Sequence, residues 1–146
     1  MFREGSLILF TPFYYKDGSP AQDKFFIVLK ATDDDIIFAG LPTSQNKVPN
    51  FLVQTHGCIN DDENCFNCYL FTNGTSICDT GFSFNKTTFI YGETIDDYKL
   101  SNLTSVYKVE GKDYDIKGKL LDSEFQSLIT CLKNSKSVKN RIKRIL

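Results

Sequence analysis

Tryptophan is absent from the 146 residues, methionine occurs once, and histidine occurs once, as His56. Imidazole is the side-chain type whose ordinary pKa suits proton transfer near neutrality. A lone His56 therefore leaves three readings open: a catalytic group, a metal ligand or a surface histidine. No stretch approaches the roughly 18 apolar residues of a spanning helix, so no membrane crossing is expected. A surplus of either charge is also missing: 17 Lys and Arg stand against 18 Asp and Glu, a formal net charge of -1. That excludes a general nucleic-acid coat, which needs a basic excess, but leaves room for a local basic groove. Residues Met1 to Gly5 lead straight into an apolar run, so no signal peptide is expected and the cytoplasm is the expected location. Asn73, Asn85 and Asn102 fit the glycosylation sequon but carry little weight without such a signal. Internal repeats and low-complexity segments are lacking too.

What is present is the composition of a globular chain. Hydrophobic residues make up 41% and aromatics 14%, enough for a single domain over 1–146 with its own core. Three apolar runs organise it: Leu7 to Phe10, Phe25 to Leu29 and Ile36 to Ala39. They are rich in β-branched and aromatic residues, and two turns separate them, Lys16 to Pro20 and Ala31 to Asp35. Such runs predict a meander of buried strands, the start of a small barrel or curled sheet. The triplet Asp33-Asp34-Asp35 reads as a solvated turn, because it lacks the ligand spacing of a calcium loop. The third strand ends at Pro42, which leaves the hydroxyls of Thr43 and Ser44 at the rim. Val48 to Val53 reads as an edge strand or extended segment. Further strands are expected over Thr87 to Tyr91 and Ser105 to Glu110.

Residues 54–81 differ in kind, holding His56 and four of the five cysteines. Asn73-Gly74 predicts a small hairpin folded out of the main body. Cys58, Cys65, Cys68 and Cys78 have three open readings: a structural zinc site of four thiolates, reduced packed cysteines, or disulfides. Cys131 reads as packing in a helix. That helix opens with a cap at Asp122 or Ser123, with Gln126 completing a capping box. Phe125, Leu128, Ile129 and Leu132 mark its apolar face, and it ends near Asn134. The tail over 135–146 is basic, and Val138, Ile142 and Ile145 allow it a second short amphipathic helix. It reads as a solvated end, with an RNA or partner contact as the other possibility.

The order of these features resembles the MazF/PemK/Kid toxins of bacterial toxin–antitoxin pairs. The resemblance rests on Gly5 before the first strand, Lys24 before the second and Thr43-Ser44 after the third. Thr94-Ile95-Asp96 and Gly118-Lys119-Leu120-Leu121-Asp122 add to it, and together these cover roughly 3–53 and 87–134. It implies a mainly β, SH3-like small barrel with a C-terminal helix, in which about 54–81 would be an inserted Cys-containing hairpin. It also implies a homodimer, an antitoxin partner, and cleavage of single-stranded RNA without a metal or other cofactor.

Catalysis is implied for Lys24, Thr43 and Ser44, and RNA contacts for Lys16, Gln45 and Lys47. Attack of a ribose 2′-OH on the adjacent phosphate needs a proton acceptor and donors for the growing phosphoryl charge. Where the family carries Arg-Pro, this chain has Lys24-Phe25, a point charge in place of a bidentate fork. The same barrel as a non-catalytic protein- or RNA-binding module is the alternative. Lys24 as a strand-edge charge and Thr43-Ser44 as a turn cap are the plainer readings of those residues.

Overall fold

A computed structural model describes residues 2–146. The three leading runs form strands β1 (Ser6–Phe13), β2 (Gln22–Ala31) and β3 (Ile36–Gly40), paired antiparallel as a meander. Two more strands extend this sheet at its edges, β7 (Asp96–Lys99) beside β3 and β8 (Tyr114–Lys119) beside β1, giving the order β7-β3-β2-β1-β8. A second antiparallel sheet is built from β4 (Gly57–Asp61), β5 (Phe66–Phe71) and β6 (Thr88–Tyr91) in the order β4-β5-β6. Helix α1 (Leu100–Val106) follows β7, and α2 (Asp122–Lys133) follows β8. A short α3 (Asn140–Lys143) closes the chain. The protein is therefore mainly β, with two antiparallel sheets and C-terminal helices. Among the described residues no helix is long and apolar enough to cross a membrane.

The central strands are apolar in continuous runs because both of their faces are covered. On one face of the larger sheet Leu7, Ile27 and Leu29 meet Tyr69, Phe71 and Ile90 of the smaller sheet, together with Leu128 and Leu132 of α2. On the other face Ile8, Phe10, Phe26 and Val28 pack against Leu103 and Tyr107 at α1. The smaller sheet shows the same alternation, with Cys68, Leu70 and Tyr91 turned toward Val48 and Ile59. Two isolated bridges tie the sheets together, Thr43 to Phe89 and Cys78 to Leu120.

Several expectations need correction. The hairpin in the cysteine-rich segment turns at Asp62 to Cys65; Asn73-Gly74 does form the expected turn, closed by Thr75 N–H to the Thr72 carbonyl at 3.2 Å, but it leads into no second strand. The hairpin is not folded out, since Tyr69, Phe71, Ile77 and Cys78 belong to the main core. Val48 to Val53 forms a turn closed by Leu52 N–H to the Pro49 carbonyl, 3.0 Å. The expected strand at Ser105 is instead the end of α1: Leu103 and Tyr107 are buried four residues apart, whereas Val106 and Val109 are half exposed. Helix α2 is capped at Leu121 without a side-chain bond, so no capping box forms, although Asp122 and Glu124 do place acid in its first turn.

The solvated turn holds: Asp35 adopts φ 64°, and Ile36 N–H bonds the Thr32 hydroxyl at 3.3 Å. The tail helix forms as its spacing predicts, with Val138 and Ile142 buried. It docks where Gly92 has no side chain, since a Cβ there would lie 2.8 Å from Val138 Cγ2.

Candidate functional site

Residues 43–47 are held by two devices. Thr43 pairs with Phe89 through both backbone bonds, at 2.9 and 2.7 Å, which extends the smaller sheet's edge into the segment after β3. The buried Tyr91 hydroxyl then accepts from Lys47 N–H at 2.7 Å and donates to the Gln45 carbonyl at 2.5 Å. Burial, first among the causes, raises the Tyr91 pKa, so the phenol keeps the proton it donates. The segment is thereby fixed against the start of β2.

Between them lies a cleft of about 470 Å³ whose lining includes Asp23, Lys24, Thr43, Ser44, Phe84 and Lys86. The structure thus brings together Lys24, Thr43 and Ser44 from two parts of the chain, with Gln45 also on the wall. Lys24 is partly buried and makes no hydrogen bond or ion pair among the described residues, and that burial lowers its pKa. An ammonium with its water partly stripped and no ion pair among the described residues is poised to take a phosphate oxygen. Thr43 Oγ1 accepts from Gln45 N–H at 3.2 Å, which is the turn-capping role, yet its own proton stays free to be donated outward. Phe25, partly exposed on the wall, packs perpendicular to the buried Phe84 with ring centroids 4.9 Å apart, and gives the cleft one aromatic surface. Lys86 and Asp23 were not anticipated. No motif surrounds either residue, and only the fold carries Lys86 to Lys24.

The two other expected RNA contacts lie elsewhere. Lys16 binds Asp96 Oδ2 at 3.1 Å and the Asp97 carbonyl, and it sits 4.2 Å over the Tyr98 ring. Lys47 covers the Tyr91 ring at 5.3 Å. Neither lines the cleft.

The four clustered cysteines do not converge. Cys58 sits opposite Tyr69 in the register and Cys68 opposite Ile59, so the two thiols lie on opposite faces of the β4–β5 pair. Cys65 is exposed at the turn. Cys58 is bonded instead to Cys131, joining β4 to α2 with Cα atoms 5.5 Å apart. Cys131 is therefore a disulfide partner rather than packing alone. Among the described residues no cluster of three or more His, Cys, Asp or Glu is placed to hold a metal ion. Burial, the larger cause in each case, pushes the Cys68 and Cys78 thiols up to about 12.

His56 belongs to neither the cleft nor a thiol cluster. Its Nδ1 accepts Thr72 N–H at 3.0 Å, so Nε2 carries the proton and donates to Glu124 Oε1 at 2.5 Å. That contact is a hydrogen bond from imidazole to carboxylate, because Nδ1 cannot carry a second proton while it accepts. Tyr69 donates to the same oxygen at 3.0 Å. Compared with known proteins, the chain matches no family model, and no curated sequence is similar enough to count as a match.

Proposed function

We propose that the Lys24 cleft is the RNA groove of a toxin-like endoribonuclease of the MazF/PemK kind. One observation carries the reading: Lys24, half buried and without a side-chain partner among the described residues, shares a cleft with the hydroxyls of Thr43 and Ser44. In this reading the Lys24 ammonium takes the charge that grows on the phosphoryl oxygens as a ribose 2′-OH attacks. The Thr43 and Ser44 hydroxyls donate to the same phosphate. Asp23, the carboxylate on the cleft wall, accepts the 2′-OH proton as the P–O5′ bond breaks; a 2′,3′-cyclic phosphate is left, and the departing 5′-oxygen takes a proton from water. Phe25 holds a base and Lys86 a neighbouring phosphate, which favours a single strand over a duplex. The finer fold reading goes with this one: the two sheets, joined through Thr43 and Phe89, correspond to an SH3-like barrel. A homodimer, an antitoxin laid into the cleft and a cytoplasmic site of action complete it.

A second reading keeps the groove and drops the chemistry. It is favoured by Lys24-Phe25, since a lysine cannot grip two phosphate oxygens as an arginine fork does. The test is cleavage of a long single-stranded RNA in EDTA by wild type, Lys24→Ala and Thr43→Ala. Discrete fragments, reduced roughly 100-fold or more in Lys24→Ala, support the nuclease. RNA binding without cleavage by wild type supports the binding module. Cleavage indifferent to both substitutions refutes this placement of the site.

A further inference from the structure

A second cavity lies between β4, β5 and one face of α2, from Ser123 in its first turn to Asn134 at its end. It measures about 700 Å³, and its walls include His56, Tyr69, Glu124, Ser127 and the Cys58–Cys131 bridge. Glu124 is its centre. The carboxylate side chain is 15% exposed, and among the described residues its only charge-type contact is the His56 ring. That ring spends its Nδ1 lone pair on Thr72 N–H and so brings no positive charge. Tyr69 is likewise a neutral donor: burial first, then the Glu124 charge, holds its pKa above the usual phenol value.

Both donors converge on Oε1, and Oε2 makes no hydrogen bond among the described residues. No Lys or Arg lines the cavity. The α2 dipole favours a carboxylate in the first turn but does not fill the lone pairs of Oε2. The carboxylate is fixed on one oxygen, while the other is not a buried orphan and faces the cavity, where a cationic donor can replace its water. The hydroxyls of Ser123, Ser127 and Thr130 on the same wall supply further acceptors at the spacing of one helical face.

We propose that this cavity binds a ligand through an ammonium or guanidinium group seated on Glu124, with the helix hydroxyls taking its remaining protons. The volume is in the range of small-molecule sites, larger than the head group alone, and accommodates an alkyl chain running over Tyr69 and the disulfide. A free organic amine and a lysine side chain presented by a partner share this chemistry.

The chain's single histidine supplies the probe, because its imidazole is the sole such NMR signal and it touches Glu124. Agmatine, spermidine and Nα-acetyl-lysine amide are titrated into the full-length protein, with n-butanol as the uncharged control. Saturable movement of the imidazole signal by at least one cation, and none by butanol, is expected. Glu124→Gln keeps an acceptor for His56 and Tyr69 but loses the charge, and should weaken binding roughly 10- to 100-fold. Thr130→Arg leaves the His56–Glu124–Tyr69 contacts in place and should block the cavity with a built-in guanidinium, so it tests the proposal even where Glu124→Gln does not fold. Binding by the free amines alone identifies a small-molecule site, and binding by the lysine amide alone identifies a side-chain site. No saturable shift by about 10 mM of any cation, or an equal shift in Glu124→Gln or Thr130→Arg, overturns it.

Discussion

Reducing the Cys58–Cys131 bond should destabilise the fold far more than losing a surface contact would. The bond closes 73 residues of chain, from β4 through both sheets to the last turn of α2. In the loop-entropy treatment, holding the ends of such a loop together removes about 4 kcal/mol of freedom from the unfolded state. For a chain of 146 residues that corresponds to a fall in Tm on the order of 10 °C. The native state should change little, because α2 is also held by Leu128 and Leu132, both fully buried.

The assay is urea unfolding of oxidised and reduced protein, followed by far-UV circular dichroism. A thiol count in denaturant fixes the redox state, three free thiols when the bond is formed and five when it is not. A midpoint that falls with an unchanged native spectrum is expected. Equal midpoints for samples that count three and five thiols would refute the entropic reasoning. Five thiols in protein purified without reductant would refute the bond itself. The outcome bears on function, since disulfides persist chiefly in oxidising compartments and the proposed site of action is cytoplasmic. A reduced chain that stays folded at 37 °C is what the toxin-like reading requires.

Other consequences can be measured alongside. Leu128→Ala should cost about 2–5 kcal/mol in urea unfolding, since the side chain is fully buried where both sheets meet α2. Gly92→Ala should undock the tail, because the new methyl falls on Val138, and residues 135–146 should become sensitive to trypsin while the body stays resistant. In folded protein at pH 8, iodoacetamide should label Cys65 and spare Cys68 and Cys78, whose thiols, pushed up to about 12, hold almost no thiolate. Lys24→Met should raise stability at neutral pH while weakening RNA binding. A pKa lowered by burial means the charged form opposes folding, fully so below the folded value, and the opposition fades as pH rises from there to the unfolded value. The gap between variant and wild type should close over that alkaline window.

The strands legible in the sequence were those covered on both faces. Leu7 to Phe10 and Phe25 to Leu29 are continuous apolar runs because the sheet they form is sandwiched, and their turns carry Gly, Pro and Asp. The strands missed were edges, β4 in the smaller sheet and β7 and β8 in the larger. Asp96-Asp97-Tyr98-Lys99 and Tyr114 to Lys119 each have one neighbour, so their outer sides meet water, and charged residues are what an edge strand carries to avoid further pairing. That charge hides them from any search for apolar runs. The stretch around Ser105 failed for the opposite reason. Its short alternation fits a strand over six residues, and only the burial of Leu103 with Tyr107 shows which period the fold selects.

The candidate sites divide along the same line between local and long-range information. Thr43 and Ser44 could be placed because a proline and a turn mark the end of β3 within a few residues. Lys86 could not, since it joins Lys24 only once β6 has docked against the segment after β3. The Cys58–Cys131 pair is the stronger case. Spacing drew attention to four cysteines within 21 residues, whereas the bond that forms reaches past three of them to a helix 73 residues away. Spacing is informative when a metal gathers ligands from one loop, but a disulfide obeys the distance between Cα atoms in the finished fold. The same holds for His56, for which the sequence left three readings open. Its partners Thr72 and Glu124 come from the end of β5 and the start of α2. A polar constellation assembled from three separate elements leaves no trace in sequence spacing, and its position can be read only after the helix has been set against the sheet.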